Sequence, residues 1–144
     1  MGAEPLPRPC ASCPYRRDVP SGVWHPEEYA KLAEYDRPTI EQPVGRFLCH
    51  QRNGHTCSGW AGCHDMSQSL GLRMAASFGH LSDEEVRAHL EYECEVPLFA
   101  TGAEAAAHGM RDIDEPSPEA RAAMTKLLKV ASFNERSSAA TAGQ

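Results

Sequence analysis

Cys10-Ala11-Ser12-Cys13-Pro14-Tyr15-Arg16-Arg17 decides how this chain is read, together with a second cysteine group at Cys49-His50, Cys57 and Cys63-His64. Two thiols separated by two residues can address one centre from a single tight turn. Zinc knuckles, iron–sulfur ligation and dithiol redox sites all use this spacing. A second cysteine group downstream lets such a centre close a loop between two ligand pairs. Cys94 stands apart in Tyr92-Glu93-Cys94-Glu95 and reads as a small, half-buried apolar residue.

The rest of the composition explains why a staple is needed. The chain has 144 residues, 41% hydrophobic and only 7% aromatic, which is enough for one domain but thin for a large aliphatic core. No apolar run is long enough for a membrane span, and Met1–Cys10 has neither the basic nor the apolar region of a secretion signal. These features predict a cytoplasmic protein that does not enter a membrane. In a reducing compartment six cysteines point to metal or redox chemistry rather than to disulfides. Net charge is −6, with 8 basic and 8 acidic residues over 1–80 against 6 basic and 12 acidic over 81–144. That balance argues against nucleic acid as a partner, because such binding depends on releasing counterions with Lys and Arg. The acidic C-terminal half is the expected surface for a protein partner.

Spacing also bears on the metal. Structural zinc sites usually repeat a pair separated by about two to four residues, whereas seven residues lie between Cys49 and Cys57 and five between Cys57 and Cys63. Clusters accept irregular spacing because their thiolates address different irons, and a Cys-Pro pair such as Cys13-Pro14 also closes the bacterial ferredoxin run. The pattern therefore predicts a [4Fe-4S] cluster on Cys10, Cys13, Cys49 and Cys57, serving electron transfer or oxidant sensing. Zinc is the alternative cofactor, in a zinc-stabilised protein-interaction module with no catalytic activity. Cys63, His50 and His64 are alternate ligands. An exchanging Cys10/Cys13 dithiol ranks last, since no βαβ context surrounds it.

Beyond the cysteines, Arg16 and Arg17 follow the first pair directly and could offset thiolate charge or grip an anion. Trp24 and Trp60 are candidate covers that keep water from the centre. Glu104 and His108, four apart on a helix, have the spacing of an acid/base pair, though exposed helices often show it too. No phosphate loop, nucleophile elbow, His-Glu-x-x-His or dinucleotide fingerprint is present.

The stretch Cys10–Trp24, with Tyr35-Asp36, Gln42-Pro43, Phe47-Leu48-Cys49-His50-Gln51 and Cys57-Ser58-Gly59-Trp60, resembles a family of small cysteine-rich proteins of unknown function from actinobacteria and their phages. The resemblance covers roughly residues 8–75. It implies a four-cysteine centre and supports Cys57 over Cys63 as the fourth ligand.

The expected fold is mainly α with minor β, one small domain organised around a cysteine-ligated metal centre. Residues 1–9 form an extended arm, 10–133 the domain (cysteine-rich over 10–64, helical over 65–133), and 134–144 a disordered tail. A helix is predicted from Pro26 to Tyr35, a short strand over Gly45–Cys49, and a glycine-rich loop over Ser58–Gly62. Asp65 should cap a helix reaching Phe78, with Met66, Leu70, Met74 and Phe78 inward and Gly79 as its stop. Capping boxes open helices at Ser82 and Thr101, the second ending at Gly109. Ser117-Pro118-Glu119 starts a last helix with Met124, Leu127, Leu128 and Ala131 as its apolar stripe.

Overall fold

Short polar side chains mark most helix starts. The computed structural model describes residues 2–52 and 54–129. Helix α1 (Pro26–Glu34) begins behind His25, whose Nδ1 accepts from the Glu27 amide, with Pro26 first and Glu27 and Glu28 facing the positive end of the dipole. Next come α2 (Ser58–Cys63) and α3 (Leu70–Ser77), the latter capped by Ser69. A full Ser82/Glu85 capping box opens α4 (Asp83–Leu90), and Thr101 caps α5 (Gly102–Met110). A sixth helix, α6, covers 118–129 and begins where the Ala120 amide donates to Ser117 Oγ at 3.1 Å. The expected disordered tail and Ala131 lie outside the described residues.

The chain is mainly helical and forms one small domain, and among the described residues β structure is limited to two isolated antiparallel bridges, Arg16↔Leu98 and Leu48↔Thr56. The strand expected over Gly45–Cys49 is therefore absent. Cys57 N donates to Phe47 O at 2.8 Å and Cys49 N to His55 O at 2.9 Å, but the ribbon ends there because the chain turns at Gly54 and enters α2. The loop expected over Ser58–Gly62 is a helix instead. Its glycines fit close packing: a Cβ on Gly59 would run into Cys13 Sγ, and one on Gly62 would crowd Leu98 and Cys94. Tertiary contact overrides the weak local propensity.

The helix expected from Asp65 is broken in two. Asp65 caps only a 3₁₀ turn, Met66–Gln68, and Ser69 in an extended conformation restarts the chain as α3. The restart shifts the buried face to Met66, Gly71, Leu72 and Ala75, leaving Phe78 66% exposed. Gly79, with φ of 73°, ends the segment as expected.

The main core joins α1 to α5. Gly102, Ala105, Ala106 and Gly109 are buried on one face of α5, which lets its backbone approach Leu32 and Tyr29 of α1. A Cβ on Gly102 would meet Leu32 O, and one on Gly109 the Tyr29 ring. Gly109 thus sits inside the helix for packing rather than ending it. Asp36, just past α1, accepts from Gly102 N and Ala103 N at 2.8 Å each, serving two amides at the α5 start. A smaller cluster of Val19, Val23 and Ala120 packs α6, with Met124 and Leu127 against it and Leu128 facing out. No helix among the described residues is long and apolar enough to cross a membrane.

Candidate metal centre

The Cys10–Cys13 segment is a tight turn, with Cys13 N donating to Cys10 O at 3.0 Å. Its far side meets the start of α2, where Cys57 is the residue before the first helical turn. Cys13 Sγ and Cys57 Sγ lie 3.7 Å apart and both residues are buried. Cys49, at the end of the short ribbon, stands close enough to Cys10 for each thiol to shift the other's ionisation. Four sulfurs from three separate segments therefore gather as two pairs. Among the described residues no set of three or more His, Cys, Asp or Glu side chains is arranged to hold a metal ion.

The thiols are electrostatically coupled. The Cys10 hydrogen bond, aided by the Gln51 and Arg52 amides, brings Cys49 down to about 6 against the opposing effect of burial. Cys10 in turn is pushed up by that bond and by burial. Cys13 is held well above the usual thiol range by its bond with Cys57 and by burial, partly offset by the Tyr15 amide. Backbone amides aimed at Cys49 and Cys13 two or three residues back are the partners a thiolate needs. Thiols this close oppose one another's ionisation, and a cation between them removes that obstacle.

Residues 5–131 match a family model, spanning part of the arm, the cysteine turn and the six helices found among the described residues. The chain belongs to DUF6283, a family of unknown function. No curated protein and no solved structure matches it.

In this DUF6283 protein the other sequence-selected residues are placed as follows. Cys63 turns away from the sulfur pairs towards a cleft shared with Asp36, and burial, Asp36, Glu104 and Cys13 push its thiol up to about 12. His50 Nε2 binds Glu28 Oε2 at 2.8 Å, with its ring 4.3 Å from Trp24. His64 Nε2 meets Tyr15 OH at 3.0 Å, while Nδ1 stands 3.6 Å from Asp36 Oδ1. Both histidines are thus engaged elsewhere. Arg16 forks onto Asp18 at 2.8 Å on each arm and reaches Pro9 O, close enough for Cys10 and Cys13 to favour its charge. Arg17 donates to Leu98 O at 2.8 Å and lies 5.2 Å over the Phe99 ring. The two arginines tie the turn to its surroundings and do not converge on one anion.

Trp24 Nε1 donates to Ser12 O at 2.8 Å, covering the turn between Cys10 and Cys13. Trp60 is buried in α2, one turn past Cys57, against Tyr35. Glu104 and His108 do not form a pair: Glu104 accepts from Ala100 N and His108 donates to Val19 O. Sequence reasoning overlooked Gly59, whose missing Cβ makes room for Cys13 Sγ. It also overlooked the buried chain from Arg46 to Thr56 to His89, which sets the residue before Cys57. Cys-x-Gly at Cys57-Ser58-Gly59 was the signal available for the first.

Proposed function

We propose that the protein is a zinc-stabilised module in which Cys10, Cys13, Cys49 and Cys57 hold one ion and so fasten the N-terminal arm to α2. The observation that carries this reading is the 3.7 Å between Cys13 Sγ and Cys57 Sγ. Four sulfurs at about 2.3 Å around one ion stand about 3.8 Å from each other at the edges of the tetrahedron. Thiolates that each serve a separate iron of a [4Fe-4S] cluster are spread over the corners of a larger body. The distance within this pair thus favours a shared ion over separate corners of the cluster that the irregular spacing suggests, and such an ion would have to draw the Cys10 and Cys49 sulfurs onto the same centre. The amides directed at Cys49 and Cys13 suit bound thiolates in either case. His50, His64 and His55 are committed to Glu28, Tyr15 and the Glu4 carbonyl, which leaves the four cysteines as the ligand set and suits a structural ion in an interaction module.

Elemental analysis and a visible spectrum of one anaerobically purified sample test this. A colourless protein with one zinc per chain, which takes cobalt to give the absorption of a tetrahedral thiolate site, is expected. A brown protein with matched iron and sulfide overturns zinc in favour of a redox or sensing cluster, and a folded metal-free protein overturns both.

A further inference from the structure

We propose that the cleft between the end of α1 and the α2–α3 connection binds a small zwitterion of the amino-acid type. The proposal is independent of the metal. The cleft encloses about 260 Å³, slightly below the roughly 300–1,000 Å³ of sites for drug-sized ligands. Trp60 lines it and is 1% exposed, yet its indole Nε1–H is a buried polar group with no partner among the described residues. An indole N–H can only donate, so what it lacks is an acceptor oxygen. Leaving such a group unpaired is destabilising, and a ligand that supplies the acceptor relieves that cost. Ser69, also lining the cleft and buried, accepts from Leu72 N at 3.1 Å, and its hydroxyl proton has no acceptor among the described residues. Arg37 stands exposed at the rim with no side-chain partner among the described residues. Three residues lining one small cleft thus each carry a donor with no acceptor among the described residues.

The charges decide what carries the acceptor. Asp36 and Asp65 also line the cleft, against the guanidinium of Arg37 and the imidazole of His64, which burial keeps towards its neutral form. A bare anion would face more negative than positive charge, whereas a zwitterion places its carboxylate on the donors and its ammonium near the aspartates. Asp36 is already occupied by the Gly102 and Ala103 amides. Asp65 uses Oδ1 for Ser67 and keeps Oδ2 without a partner among the described residues, which makes it the ammonium's first contact. Tyr35 supplies an aromatic wall.

The two tryptophans provide an internal control, since Trp24 Nε1 already donates to Ser12 O. The full chain, metal-loaded as purified, is titrated with glycine, alanine and glutamine while both indole N–H signals are followed by NMR. Acetate and methylammonium serve as the two half-molecules. A saturable shift of the Trp60 signal with an amino acid, larger than with either half-molecule and with Trp24 unmoved, is expected. Arg37→Gln and Asp65→Asn should each weaken that binding about tenfold, as loss of one charge-assisted contact does. The proposal is overturned if neither indole moves, if both move alike, if acetate matches the amino acids, or if Arg37→Gln binds like the wild type.

Discussion

Residues 65–129 and residues 2–64 are held in different ways. In the first region helices start on nearby side chains: Ser69 serves Leu72, Ser82 serves Glu85, Thr101 serves Glu104 and Ser117 serves Ala120. In the second, the arm has no regular structure and is fixed by carbonyls that accept from far along the chain. Thr56 N reaches Ala3 O at 3.0 Å, Ser58 Oγ reaches Leu6 O at 2.7 Å and Tyr92 OH reaches Pro7 O at 3.2 Å. Local caps form within one turn, while closing a long loop costs entropy before any contact rewards it. The cysteine-rich region therefore depends on contacts between distant segments in a way the helical region does not.

The strongest way to break this contrast is Cys13→Ser. Structural zinc contributes apparent binding free energies of about 10–16 kcal/mol in zinc-finger peptides. If the four cysteines hold zinc as proposed, its loss should release the arm and the 45–64 segment while α4 and α5 keep much of their helicity. Hydrogen exchange resolved by segment checks it, and uniform loss across the chain would show that the two regions are one cooperative unit. Leu32→Ala removes a fully buried side chain from the α1–α5 contact and should cost about 2–5 kcal/mol in urea unfolding, with metal content retained.

Acidification probes both regions at once, because burial lowers the pKa of His64 and of His89. The folded state then binds protons less readily than the unfolded chain. Stability is complete above the ordinary histidine value of about 6.5 and falls as pH drops below it towards the lowered values. His89→Asn should flatten the pH dependence of the thermal midpoint, and an unchanged slope would place the effect elsewhere. Ser82→Ala should cost about 1 kcal/mol by loss of a cap, raising exchange in α4 alone. Cys94→Ser should stay within about 0.5 kcal/mol and leave metal content unchanged.

The helices over 83–90 and 102–110, and the starts of α1 and α6, were legible because a cap and an apolar stripe lie within a few residues of each other. The nearness of the sulfurs was legible in part. The spacing of Cys10 and Cys13, with Cys49-His50 and Cys57 downstream, singles out the sulfurs that come together as pairs. It does not say that His64 turns to Tyr15 and Asp36, or that Arg17 lies on Phe99, since those partners lie many residues away.

The sequence by itself determined the helical class and most helix starts, because each rests on residue type and short spacing. Tertiary structure decided that Ser58–Cys63 is a helix, that Ser69 breaks the segment after Asp65, and that Gly109 serves packing. For the first and the last the deciding contact, Cys13 Sγ on Gly59 or the Tyr29 ring on Gly109, comes from a distant segment. A glycine carries no mark in the sequence to distinguish a turn from a close approach, and only the neighbour that fills the missing Cβ resolves the two.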